Sequence, residues 1–182
     1  MKPSHRLALA RVLALLVVIV ITVLIYKHRE QAKELEMYGY PGIFLISVIA
    51  NATVILPVPG LLITFSMGAV FHPIGVALAS GLGAAFGEMT GYLAGFSGQA
   101  IIENAKLYTT LTGWMRKNGF LTILILAFIP NPFFDLAGMS AGAFRMPVYR
   151  FLLWCFLGKT LKMLVFAYAG ATSIPWLLKF QP

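Results

Sequence analysis

Long apolar stretches alternate with short charged ones along this chain, and two of the apolar stretches are broken in the middle. Residues 8–26, ALARVLALLVVIVITVLIY, are almost uncharged, with Arg11 the exception near the start. At ~1.5 Å per residue, about 19 such positions cross a ~30 Å hydrocarbon core, which predicts a transmembrane helix. Lys27 to Met37 (KHREQAKELEM) is charged throughout and places Glu30 and Glu34 at helical spacing from cations, predicting a short interfacial helix that closes an N-terminal region over 1–38. Gly39-Tyr40-Pro41-Gly42 then reads as a turn.

The next apolar block runs from Ile43 to Leu56, meets Pro57-Val58-Pro59-Gly60, and resumes from Leu61 to Phe71. Each arm measures about 15–21 Å at helical rise, too short to cross alone. Pro57 and Pro59 remove backbone donors and disfavour helix at the residue before each. Half-length arms around a breaker predict a re-entrant hairpin over 43–71, with one long kinked helix as the alternative. Ile74 to about Gly95 predicts a full span.

Residues 96–120 turn polar, with Glu103, Lys106, Arg116 and Lys117, and predict a surface linker containing an amphipathic helix. Then the pattern returns. Leu121 to Ile129, the breaker Pro130-Asn131-Pro132, and Phe133 to Phe144 predict a second hairpin over 121–144, followed by a span from Phe151 to about Gly170 and a tail over 172–182. Laying Pro57-x-Pro59 on Pro130-x-Pro132 brings Phe71 onto Phe144, and Gly68-Ala69 and Pro73 to within one residue of Gly142-Ala143 and Pro147. Each unit, hairpin plus span, crosses the membrane once, so the second starts on the opposite face and the repeats are inverted. Discontinuous segments at corresponding positions of inverted repeats point to a transport site near the midplane. The expected fold is thus an all-α polytopic membrane protein, its core over 39–171. Eight Lys and Arg fall on one side and four on the other, which orients the N-terminus inside.

Composition reinforces the membrane reading: 59% of 182 residues are hydrophobic, 11% are charged, and mean hydropathy is +0.85. A signal peptide competes for the N-terminal segment, but the apolar run is long and Tyr26-Lys27-His28-Arg29-Glu30 lacks a small-x-small cleavage site. The formal net charge of +8 is scattered between apolar spans, as anchors and topology signals rather than a nucleic-acid face. Cys155 is alone, and His5, His28 and His72 form no ligand-spaced pair, so no disulfide, metal or cofactor is expected.

Six acids are present, and Glu88 and Asp135 are the two outside predicted surface segments. An ionisable group at membrane depth costs about 2.5–3.5 kcal/mol on insertion scales, so it is expected to face protein or water and to mark a pathway. Glu88 borders a face on which Gly83, Gly87, Gly91 and Gly95 recur, a small-residue seam for close helix packing. Asp135 falls in the first turn after the second breaker, where it either caps exposed N–H groups or lines the path. Asn131 is placed to satisfy backbone freed by the turn. Lys159, Lys162, Arg145 and Arg150 are the candidate basic partners. Ser140 in G-x-S-x-G and Ser97 in G-x-S-G lack the strand-turn-helix setting or a following His, so an enzyme is not expected. Asn51-Ala52-Thr53 is a formal glycosylation sequon, discounted because it lies in an apolar arm.

The strings PVPGLLITFSMGAVF (57–71), GEMTGYLAG (87–95) and KNGFLTILILAFIPNPFFDLAGMSAGAFRMP (117–147) together resemble the DedA/VTT-domain family, also called SNARE-associated Golgi protein-like, with PFFDLAGMSAG closest to its TVP-type bacterial branch. The resemblance covers roughly 40–170. It implies opposed re-entrant hairpins and the movement of lipids between leaflets, phospholipid or polyprenyl phosphate, with proton coupling proposed for bacterial members. Glu88 corresponds to the family acid in E-x-x-G-Y and Asp135 to the acid after the second break. The chain carries Ala127, Phe96 and Phe133-Phe134-Asp135 where many relatives carry arginines, so a headgroup grip by those arginines does not carry over.

These readings lead to a scramblase- or flippase-like lipid transporter, working through a polar cleft lined by Glu88, Asp135, Asn131, Arg145, Lys159 and Lys162. The alternatives are a proton- or ion-coupled small-solute transporter and a non-transporting assembly or tethering protein. Expected partners are membrane lipids and a second copy of the chain, in a bacterial or archaeal cell membrane.

Overall fold

The computed structural model describes residues 36–52, 60–98, 105–131 and 133–178, and the regular elements among them are α-helices. The span expected over 8–26, most of the charged segment after it, Pro57, Pro59, Pro132 and Glu103 lie outside the described residues.

Helix α1 (Glu36–Ala52) runs through the turn expected at 39–42, with Pro41 inside it. Proline's fixed φ suits a helix, and the cost of one missing N–H donor is offset here by packing. The Tyr40 and Phe71 rings lie 6.0 Å apart, and Gly39 approaches Phe71 so closely that a Cβ would sit 2.9 Å from the ring. After the first breaker comes α2 (Gly60–Gly68). His72 in an extended conformation and Pro73 at the first helical position then start α3 (Pro73–Gly87), a favoured site for proline.

The span expected over 74–95 is interrupted once, at Glu88, before α4 (Met89–Phe96). Glu88 keeps a right-handed helical backbone (φ −66°, ψ −11°). Its N–H donates to the Ala84 carbonyl at 3.0 Å and its carbonyl accepts from the Tyr92 N–H at 3.2 Å, so one rod continues through the break.

Helix α5 (Ala105–Phe128) replaces most of the expected surface linker and fuses it to the first arm expected for a second hairpin. Leu111 and Met115 are buried, so the segment is packed rather than laid on the surface; Asn118 (φ −157°, ψ 78°) is the one non-helical residue within it. After Pro130-Asn131 and Pro132 comes α6 (Phe134–Ala143). The last helix, α7 (Val148–Leu178), exceeds the span expected over 151–170 at both ends, and the expected tail is helical as far as Leu178.

Beside an apolar core, large apolar side chains also line the outside while several polar ones are buried. On α7, Leu153, Leu157, Leu161, Val165 and Tyr168 form an exposed ridge; on the α3–α4 rod, Ile74, Leu78, Leu82, Phe86 and Leu93 do the same. Buried instead are Ser47, Thr64, Ser80, Thr122, Ser140, Glu88, Lys159 and Lys162. Lipid as solvent produces this arrangement, because polar groups must be satisfied internally. Most of the buried hydroxyls donate to the carbonyl one turn back, as Thr64 does to Gly60 (3.0 Å), Thr122 to Asn118 (2.9 Å) and Ser140 to Leu136 (2.8 Å). Ser47 instead reaches across to the Ser80 carbonyl at 2.6 Å, tying α1 to α3. Among the described residues one uninterrupted helical stretch, Val148–Ser173, is long and apolar enough to cross a membrane alone. The regular structure of the described residues is all helical, and with the composition it describes an integral membrane protein.

Helix α3 packs on α1 and on α7, α7 receives α2 and α5, and α4 packs on α6. Glycines set these distances. A Cβ at Gly83 would collide with the Phe44 carbonyl, and one at Gly87 would lie 2.6 Å from the Val48 carbonyl oxygen, both on α1. Along the same rod, a Cβ at Gly95 would collide with the Met139 carbonyl of α6, whereas one at Gly91 would meet the Asp135 carbonyl at an ordinary 3.5 Å. The predicted small-residue face is therefore shared between two partner helices. Gly142 of α6 makes the reciprocal approach to the Tyr92 carbonyl; Gly68 and Gly170 do the same for α2 and α7, against Ala167 and Phe65.

Candidate functional site

Where the rod is interrupted, the Glu88 side chain turns inward, 4% exposed. It meets Lys159, also 4% exposed, from the middle of α7, and the two form a buried ion pair. The Lys159 ammonium also donates to the Asn51 side-chain carbonyl at 3.1 Å, and lies over the Phe134 ring, 4.5 Å from its centroid. Lysine thus finds a carboxylate, an amide oxygen and a π face, each from a different helix. Unpaired, either charge would be costly at this depth.

Asp135 lies in the first turn of α6, half-buried, with its carboxyl beside that of Glu88. Asn131, just before α6, serves the turn. Its amide donates to the Leu126 and Ile129 carbonyls at 2.8 and 2.7 Å, and its oxygen accepts the Phe133 N–H at 2.9 Å. Asn131 therefore closes the turn, and the Asp135 carboxyl lies near that of Glu88. Lys162, one turn beyond Lys159, is buried on the same face of α7, as is Cys155 one turn before it.

The structure brings together Glu88, Asp135, Lys159 and Lys162 from the residues singled out by sequence. Two others stand apart. Asn131 has a structural task in the turn, and Arg145 is exposed at the junction between α6 and α7, its guanidinium 5.8 Å from the centroid of the Phe96 ring. Of the breakers, Gly60 opens α2 and Pro130 ends the arm of α5, while Pro57, Pro59 and Pro132 lie outside the described residues. Sequence reasoning missed Asn51 and Phe134. The signal for Asn51 is an amide in an otherwise apolar arm, and its place in a sequon offers a competing surface reading. Phe134 carries no such signal, because nothing in an apolar run marks the one ring that will sit under a cation.

The site gathers two acids and two lysines, with an amide and an aromatic face, at the meeting of α1, the α3–α4 rod, α6 and α7. Such a set can hold a zwitterionic or anionic polar group inside an apolar envelope, or carry a proton between neighbouring carboxyls.

Comparisons with known proteins place the chain in a family. Residues 58–172 match the VTT domain. The chain is similar to vacuole membrane protein KMS2 of Arabidopsis thaliana, 36% identical over 104 residues that cover 47% of this chain and 25% of that protein. Vacuole membrane protein 1 of Homo sapiens is 43% identical over 65 residues, 36% of this chain and 14% of that protein. The Dictyostelium discoideum homologue is 51% identical over 41 residues, 22% and 10% of the two chains. This chain thus spans about a quarter or less of the length of these relatives. No solved structure matches it. With more than half its length matched by one domain, the chain belongs to the VTT-domain family.

Proposed function

We propose that this protein moves lipids between the two leaflets, in the manner of a scramblase or flippase, with the headgroup passing the Glu88–Lys159 site while the acyl chains stay in the bilayer. The observation that carries the reading is the buried ion pair itself, held by Asn51 and flanked by Asp135 and Lys162 at the meeting of four elements. A purely structural pair would not need a second acid and a second lysine beside it at membrane depth.

The arrangement we infer is an inverted repeat of two re-entrant hairpins, α1 with α2 and the end of α5 with α6. The packing supports it: each span, the α3–α4 rod or α7, holds the first arm of its own hairpin and the returning arm of the other. The small-residue approaches Gly68–Ala167 and Gly142–Tyr92 occupy matching places in that scheme. The distribution of Lys and Arg favours an N-terminus inside, and the PFFDLAGMSAG string favours the bacterial branch and a bacterial or archaeal cell membrane. No covalent chemistry is required of any residue in this scheme.

The test is reconstitution into liposomes containing fluorescent lipid in both leaflets, followed by dithionite added outside. The expected result is loss of the inner-leaflet signal faster than in protein-free liposomes; identical traces across several headgroups would overturn the proposal. The adjacent carboxyls of Glu88 and Asp135 favour one second reading, a proton-coupled solute transporter. Solute uptake that follows an imposed pH gradient and disappears in Glu88→Gln, without lipid movement, would select it.

A further inference from the structure

Away from the buried site, exposed cations gather at one end of the bundle. Arg116 and Lys117 lie on α5 just before its break at Asn118, Arg145 lies in the α6–α7 junction, and Arg150 lies in the first turn of α7. They belong to one surface. The Arg116 guanidinium lies 5.5 Å from the centroid of the Phe144 ring, and Arg145 lies 5.8 Å from that of Phe96. A Cβ at Gly119 would lie 2.8 Å from the Met146 side chain, and the Tyr92 hydroxyl donates to the Met146 carbonyl at 2.5 Å, so α5 and α4 both abut the junction. Arg150 lies over its neighbour Tyr149, which is 66% exposed. Among the described side chains the carboxylates are Glu88 and Asp135, both at the buried site, and neither pairs with any of these four cations.

The backbone at Arg145 adds a second, independent observation. The Met146 N–H donates to the Ala141 carbonyl (3.0 Å) and the Arg145 N–H to Gly142 (2.9 Å), the paired bonds of a Schellman helix end. Its left-handed position is ordinarily glycine, because a side chain is strained there. Here it holds arginine, at φ 53°. Strain of this kind is retained where the side chain has a use, and the Arg145 side chain lies on an aromatic ring beside three other cations rather than in the packed interior.

We propose that this basic, aromatic-backed rim binds the headgroups of anionic phospholipids in the leaflet it faces, a site separate from the buried ion pair and independent of whether lipids are transported. The aromatic rings sit at the depth of the headgroup boundary and the guanidinium groups meet the phosphates, so the protein gathers anionic over zwitterionic lipid around this end.

Intrinsic tryptophan fluorescence of the full chain tests this, in vesicles mixing phosphatidylcholine and phosphatidylglycerol with bromine on the acyl chains of one lipid or the other. Wild type is expected to favour phosphatidylglycerol about fivefold at low salt, and less at high salt. Arg145→Gly, which relieves the backbone, is expected to melt no lower than wild type while the preference falls. The combined variant Arg116→Gln/Lys117→Gln/Arg145→Gly/Arg150→Gln is expected to quench equally with either brominated lipid. A wild type without preference overturns the proposal, as does a preference that survives in the combined variant or is untouched in Arg145→Gly.

Discussion

At the scale of residues, the central feature is one lysine served by three partners. Replacing Lys159 with Met leaves Glu88 and Asp135 facing each other without the ammonium between α7 and the rod, and stability in detergent is expected to fall by about 3–5 kcal/mol. Glu88→Gln is expected to cost less, because Asp135 remains beside the site to meet the lysine charge. Chemical denaturation of the three proteins side by side checks that order; equal losses would mean that Asp135 does not share the lysine. Much of this site was legible in the sequence, since Glu88 and Asp135 are the two acids within apolar segments and Lys159 and Lys162 the lysines within the last span. What sequence could not supply was pairing. Arg145 and Asn131 looked equally eligible, and they separate only because one sits at an exposed helix end and the other is occupied by three hydrogen bonds to its own turn.

At the scale of elements, backbone approach decides which helices meet. The four-residue recurrence of Gly83, Gly87, Gly91 and Gly95 announces a smooth face, but a period in one helix says nothing about its neighbour. The structure divides the face, with Gly83 and Gly87 against α1 and Gly91 and Gly95 against α6. Gly95→Ala is accordingly expected to lower the melting temperature clearly, because its methyl would collide with the Met139 carbonyl, a backbone atom that cannot swing away. Gly91→Ala has ordinary van der Waals space, and the helical preference of alanine, roughly 0.5–1 kcal/mol, should leave it neutral or slightly stabilised. Thermal unfolding of both in detergent distinguishes them. Turn and linker signals were the weakest guides at this scale. Gly39-Tyr40-Pro41-Gly42 is helical because aromatic packing holds it, and the polar stretch over 105–117 is helical because Leu111 and Met115 give it a buried side.

At the scale of the whole molecule, the proposed inverted repeat makes a topological prediction. With the hairpins entering from opposite faces, the junction at His72 and the junction at Arg145 open on opposite sides of the membrane. In a Cys155→Ala background, a cysteine at 72 is expected to react with an impermeant maleimide from outside and one at 145 only after the membrane is opened. Labelling of both from the same side would contradict the repeat. The paired breakers suggest this scheme in the sequence, whereas the packing of α2 on α7 and of α6 on α4 is something no local pattern encodes.

The most direct test of the central claim joins stability to transport in one protein, Glu88→Gln/Lys159→Met. Removing both charges of the pair leaves one acid, Asp135, and one lysine, Lys162, in the site, so its charge stays balanced and the double variant is expected to recover most of the stability lost in Lys159→Met alone. Reconstituted in liposomes, it should nevertheless leave inner-leaflet fluorescent lipid as protected from dithionite as protein-free vesicles do. A stable double variant that exposes that lipid as fast as wild type would show that the buried pair holds the fold and does not pass headgroups.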